Sequence, residues 1–131
     1  MMVVDASAVL AVILEEKDAE RFEAALLAEP HAAITAVNFW EVLVRAEGLR
    51  GATGLASAEA LISGSGMAVA PVDADLAREA AAAFARYGRR SMGRLNLGDC
   101  FAYALAMREG AGLLFRGDDF LKTDVIDALD R

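Results

Sequence analysis

MMVVDASAVLAVILEE, residues 1–16, decides the fold. A short apolar run closed by a carboxylate, MMVVD, reads as a buried strand. The Asp5-Ala6-Ser7 step supplies a turn and a cap, because Asp and Ser oxygens accept from the free N–H groups of a first helical turn. AVLAVILEE then continues as an apolar helix. This is a strand-to-helix unit, and the rest of the chain repeats its alternation.

DAERFEAALLAE, residues 18–29, mixes charged and apolar residues at helical spacing until Pro30, which disfavours helix in the residue before it. HAAI, residues 31–34, is the second strand. Thr35 caps a long helix, TAVNFWEVLVRAEGLR, which Gly51 ends, and a further helical piece covers about residues 53–61. MAVAPV, residues 67–72, is a third strand, followed by the alanine-rich helix DADLAREAAAAFARYG. Asn96 opens another helix that stops at Gly110, GLLF at 112–115 is the fourth strand, and a turn DDF and the segment TDVIDAL follow. Parallel neighbours require helical crossovers, so this order predicts an α/β fold: a parallel central sheet of four or five strands with helices on both faces. A length of 131 residues suits one domain, 1–131, with its own core.

Hydrophobic residues make up 56% of the chain and charged residues 25%, which is a globular composition. No apolar run approaches the roughly 18 residues that cross a bilayer, and the start has no basic stretch before its apolar run, so neither a membrane span nor a signal peptide is expected. The lone cysteine, Cys100, has no partner for an internal disulfide, which suits a reducing cytoplasm. Thirteen Lys plus Arg against twenty Asp plus Glu give a net charge of −7, a field that repels a nucleic-acid backbone. A nucleic-acid function therefore needs a local remedy, either a cationic patch or divalent cations bound among the acids. RYGRRSMGR, residues 86–94, offers the patch: Arg86, Arg89, Arg90 and Arg94 with no acid among them, and Tyr87 between. Arginine pairs bidentately with phosphate, and Tyr87 is placed to stack on an unpaired RNA base. The same segment reads equally well as a solvated loop.

The acids carry more information. In open parallel sheets, ligands lie beyond the carboxyl ends of the strands. Asp5 ends the first strand, and Asp118 and Asp119 follow the fourth. Asp99 stands in the first turn of the helix leading into that strand. Glu41 lies in the helix after the second strand, and helical side chains lean toward their own N-terminus, here toward the sheet edge. Each acid also has a plain structural reading. Asp5 and Asp99 suit helix caps, Glu41 sits with Asn38 and Arg45 as a solvated stripe would, and Asp118 and Asp119 suit a turn. Four acidic sites on one sheet edge nevertheless exceed what capping demands, and hard cations such as Mg²⁺ take carboxylate oxygens from separate loops.

Other chemistries find little support. The one histidine, His31, begins a strand and leaves no imidazole base for a serine or cysteine nucleophile. Cys100 adjoins Asp99, whose charge raises a thiol pKa, so it reads as core. There is no glycine-rich phosphate loop with a lysine. What remains is metal-assisted hydrolysis of a phosphodiester.

VVDASA, NFWEV, RLNLGDCFAYALA and LLFRGDDFLKTDV together resemble the PIN-domain ribonucleases of the VapC toxin type, over nearly the whole chain. The resemblance implies a PIN-like three-layer fold and a Mg²⁺- or Mn²⁺-dependent endoribonuclease active on structured RNA such as tRNA or rRNA. It also implies a cognate VapB-type antitoxin and a homodimer. Carried over position by position, Asp5, Asp99, Glu41 and Asp119 match the family's catalytic metal ligands. Ser7 matches a hydroxyl that orients a carboxylate, with Asp118 a supporting acid ranked below Asp119. Phe39, Trp40, Val44 and Leu49 give the third helix more large apolar residues than one buried face needs, which suits core or interface.

The alternative is an acidic α/β signalling or binding domain without nuclease activity. A phosphoacceptor receiver would show adjacent acids after the first strand and a late lysine, but Asp5 stands alone there. A haloacid-type phosphatase would place a second aspartate where Ser7 stands.

Overall fold

The computed structural model describes residues 1–89, 91 and 93–129. Along the chain run β1 (Met2–Val4), α1 (Ala6–Ile13), α2 (Ala19–Ala28), β2 (Ala32–Thr35), α3 (Ala36–Gly64), β3 (Ala68–Ala70), α4 (Ala74–Tyr87), α5 (Leu97–Glu109) and β4 (Gly112–Leu114). The strands form one all-parallel sheet in the order β3-β2-β1-β4. The α/β fold with a parallel sheet and flanking helices is therefore as expected.

Strand side chains alternate between faces, and the core divides accordingly. Met2, Val4, Ile34 and Leu114 pack with buried residues of α1, α2 and α3, among them Val9, Phe22 and Val42. Val3, Ala33 and Leu113 pack on the other face with Leu76 of α4 and Cys100, Tyr103 and Leu105 of α5. Cys100 is buried, as its sequence context predicts.

Local chemistry explains most boundaries. α3 bends at Gly51, whose φ of 61° and ψ of −152° lie outside the helical region, and helix then continues to Gly64, beyond the predicted piece ending near 61. Gly110 ends α5 in the left-handed conformation, φ 61°, that glycine adopts without a Cβ penalty. β2 sits one residue later than predicted, so Thr35 both closes the strand and caps α3. β3 is shorter than MAVAPV, because Pro71 has no N–H to donate to a ladder. A fifth strand is reduced to one bridge: Leu113 N donates to Ile126 O at 2.8 Å, and Ala128 N to Leu113 O at 3.0 Å. Among the described residues, no helix is long and apolar enough to cross a membrane.

The strand order sets the position of the site. From β1 the chain proceeds outward through β2 and β3, then returns to place β4 on the other flank of β1. Such a reversal opens a crevice at the carboxyl ends of the central strands.

Candidate active site

At that crevice lies a cleft of about 240 Å³ whose lining includes Asp5, Glu41, Asp99 and Asp119. Four segments distant in sequence thus deliver carboxylates to one rim, as their places after or before the strands predict.

Asp5 is the N-cap of α1. Its Oδ2 accepts from Ser7 N at 3.0 Å and from Ser7 Oγ at 2.5 Å. Ser7 Oγ in turn accepts from Arg116 N at 3.0 Å, which ties the turn after β1 to the turn after β4. The Asp5 carboxylate is 4% exposed, and this burial pushes its pKa up against the lowering effect of the Ser7 bonds, with the Asp119 charge adding to the rise.

Asp99 completes a capping box. Its Oδ2 accepts from Asn96 N at 3.0 Å, while Asp99 N donates to Asn96 Oδ1 at 2.9 Å. Burial, then the charge of Asp5, and further Asp119 and Glu41, push its pKa up to about 7, opposed by the Asn96 bond. The capping readings of Asp5 and Asp99 are thus both correct. They do not compete with a second role, since an ionised carboxylate has about four acceptor positions.

Glu41 departs from its plain reading. It is half-buried, and among the described residues it forms no ion pair with Arg45 within 4 Å. Asn38, expected beside it on a solvated stripe, is instead fully buried. Its Nδ2 donates to Glu41 Oε1 at 2.8 Å and to the Gly98 carbonyl at 2.9 Å, and its Oδ1 accepts from Thr35 Oγ1 at 2.5 Å. Burial raises the Glu41 pKa, Asn38 opposes the rise, and the Asp5 charge adds to it. A Cβ at Gly98 would fall on the Glu41 carboxylate. Glycine there lets α3 present Glu41 against the first turn of α5, one residue from Asp99.

Asp119 is exposed, in the turn that follows Gly117, whose φ is 96°. Its charge acts on both Asp5 and Asp99. Asp118 does not line the cleft; its carbonyl accepts from Leu121 N at 3.1 Å within the turn.

The oxygen-only donors suit a hard divalent cation in kind. Among the described residues, however, no three acidic, histidine or cysteine side chains are drawn together into a finished ligand set.

The described residues of the basic segment sit apart from the acids, as a separate cationic patch would. Arg86 stacks over Tyr87 at 4.8 Å and its Nη2 donates to Tyr87 Oη at 2.9 Å. Tyr87 meets Tyr103 edge-on at 5.5 Å and packs on the core of the α4 and α5 face. The Tyr103 hydroxyl donates to Asp124. The partly buried Tyr87 ring is thereby engaged in internal packing. Arg89 and Arg94 are exposed, Arg90 lies outside the described residues, and neither Arg86, Tyr87, Arg89 nor Arg94 lines the acidic cleft. Among the described residues, the cations that do are Arg45, one turn beyond Glu41, and Arg116, two residues after β4. Sequence reasoning missed both, although the rule that identified Asp119 applies equally to Arg116.

The sheet order, flanking helices and acid-lined cleft define a PIN domain, and a PIN domain family model matches residues 2–126. Ribonuclease VapC of Mycolicibacterium smegmatis is 38% identical over 125 residues, covering 95% of this chain and 97% of that protein. Ribonuclease VapC42 of Mycobacterium tuberculosis is 40% identical over 126 residues, covering 95% and 96%. The chain belongs to the VapC ribonucleases of the PIN-domain family. The fold is shared with solved structures of lower identity. Mycobacterium tuberculosis VapC20, described as a Sarcin-Ricin loop cleaving toxin, aligns with a TM-score of 0.82 at 16% identity over 97% of this chain and 98% of that one. A toxin-antitoxin complex from Klebsiella pneumoniae gives 0.71 at 21% identity, covering 98% of each chain.

Proposed function

We propose that this ribonuclease is a Mg²⁺-dependent endoribonuclease, with Mn²⁺ an effective substitute, and that it cuts structured RNA such as tRNA or rRNA as the toxic partner of a cytoplasmic toxin-antitoxin pair. The observation that carries this reading is the convergence of Asp5, Glu41, Asp99 and Asp119 on one cleft. These four residues would hold the cation. When bound, a divalent cation lowers the pKa of a water molecule and offsets charge on the phosphodiester.

The chain's own groups prepare the site. Ser7 holds the Asp5 carboxylate through two donors, Asn38 holds Glu41, and the Asn96 backbone holds Asp99. Fixed carboxylates lose little orientational freedom when they take up a ligand, and removing such supporting bonds typically costs about 10- to 100-fold in metal affinity or activity. Incubating the purified protein with total RNA, with Mg²⁺ or with chelator, tests the reading. Discrete new RNA ends are expected with Mg²⁺ alone, and identical ends in chelator would reject metal dependence.

Gly98→Ala gives a sharper test of the Glu41 position. The added methyl displaces the carboxylate, while alanine is otherwise the better helix former by about 1 kcal/mol. Cleavage is expected to fall at least about 10-fold with little change in melting temperature. Equal cleavage rates for variant and parent would remove Glu41 from the site.

The structure of a toxin-antitoxin complex in the same fold supports a VapB-type antitoxin as partner. A homodimer is supported by the apolar surface where α3 meets α5. Trp40 is 62% exposed and Leu97 67%, and the two line one concavity with Val37, while Val44 is also exposed. Phe39 packs on the core instead. Leu49 is exposed farther along α3. Trp40→Glu is expected to convert a dimer to monomer in light scattering; an unchanged mass would assign this face elsewhere.

A further inference from the structure

The acidic cleft must admit a phosphodiester, yet none of the described arginines of the basic segment, Arg86, Arg89 and Arg94, lines it. Among the described residues, Arg45 and Arg116 are the arginines in its lining, and of these Arg116 is anchored at both ends. Its backbone N donates to Ser7 Oγ at 3.0 Å, and Ser7 Oγ donates to Asp5 at 2.5 Å. The root of the side chain is therefore tied through two bonds to a carboxylate of the site. Its tip is held by Asp18 in the loop between α1 and α2. Nε donates to both carboxylate oxygens, at 2.9 and 3.1 Å.

Among the described residues, this pairing leaves most of the guanidinium uncommitted. Arginine has five N–H donors in a planar fork. Asp18 engages Nε alone, and Glu16 approaches Nη2 only to 3.8 Å, beyond hydrogen-bond distance. The terminal nitrogens form the fork that grips a phosphate side-on. Both partners of the Arg116–Asp18 pair are about one-third exposed, 34% each, so exchanging one anion for another involves little new burial.

We propose that Arg116 binds a phosphate of the RNA substrate beside the acids, with Asp18 and Glu16 holding the guanidinium in place until RNA displaces them. This assignment rests on the nuclease reading above and adds to it the residue that receives the anion. Asp18 acts as a competitor for the guanidinium as well as its support, and that dual role separates substrate binding from simple tethering of the loop.

The test compares two variants that break the same ion pair. Binding of a fluorescent random-sequence RNA oligonucleotide pool is followed by anisotropy over a range of salt, in an Asp99→Asn background that does not cleave. Arg116→Ala is expected to weaken binding about 10- to 100-fold. It should also flatten the plot of log affinity against log salt by about 0.7, the loss of one single-strand phosphate contact. Arg116→Lys should restore the slope and only part of the affinity, since it keeps the charge without the fork. Asp18→Asn removes the competing anion and is expected to tighten binding, although both pair-breaking variants lose the same tether and melt alike. Weakening by Asp18→Asn equal to that by Arg116→Ala would make the pair a tether only and overturn the proposal. So would unchanged affinity and slope in Arg116→Ala while the parent protein still cuts RNA. A parent protein that cuts no RNA would overturn the nuclease reading, and this assignment with it.

Discussion

Asp99→Asn is expected to reduce RNA cleavage by about 1,000-fold or more while the protein stays folded, and to raise the melting temperature of the metal-free form. Asparagine preserves the shape of the side chain and an oxygen able to accept from Asn96 N, so the capping box of α5 survives. What disappears is the charge. In a site that works by holding a cation, that loss removes several kcal/mol of charge stabilisation, and each 1.36 kcal/mol is tenfold in rate. The stability change has the opposite sign because the Asp99 carboxylate is buried and faces the charges of Asp5, Asp119 and Glu41. Removing one member of a repelling set relieves the rest. Sequencing RNA ends after induced expression, beside thermal melts of the purified variant, reads both effects. Parent-level cleavage would exclude Asp99 from the chemistry, and a lowered melting temperature would make its capping bonds outweigh the repulsion.

Asp5 and Asp99 satisfy local rules for helix starts, and on local rules alone they would pass as caps. Their position relative to strands is what set them apart, and that position could be read because Pro30, Gly51 and Gly110 mark element boundaries by local backbone chemistry. Glu41 was legible through the lean of helical side chains. Its support was not. Asn38 bonds to the carbonyl of Gly98, 60 residues away, and its burial follows from the approach of α5 to α3, which no local pattern encodes. The need for glycine at 98 has the same origin. The basic segment was legible as composition alone: four arginines and a tyrosine make an RNA patch on sequence grounds, and the contacts of Tyr87 and Arg86 near Tyr103 and its bond to Asp124, on the side of α4 and α5, follow from tertiary packing. Charge counts along a chain do not specify which edge of a sheet a loop occupies.

The metal-free protein is expected to lose stability as pH rises from about 4 to about 7, and Mg²⁺ to restore it most strongly at the upper end. The Asp99 pKa is raised from its ordinary 3.8 to about 7. Between those values the folded state binds more protons than the unfolded state, so unfolding becomes easier with each step up in pH. Above about pH 7 the penalty is fully developed; below about pH 4 it is absent. Asp5 and Glu41 are shifted in the same direction and reinforce the trend. A shift of this size corresponds to on the order of 2–4 kcal/mol. For a chain of this length that is roughly 5–15 °C in melting temperature between about pH 5 and pH 8. A divalent cation competes with protons for the same oxygens, so its stabilising effect should be small near pH 5 and large near pH 8. Asp99→Asn should flatten both dependences, because it removes a carboxyl group whose pKa is raised to about 7. Melting curves with and without Mg²⁺ at the two pH values decide the matter. A melting temperature that rises toward pH 8 without metal would contradict the repulsion among these acids, and an equal Mg²⁺ effect at both pH values would place cation binding away from them. Either outcome bears directly on how such a cleft can work: the carboxylates whose repulsion makes the resting protein less stable at neutral pH are the ones a divalent cation would stabilise.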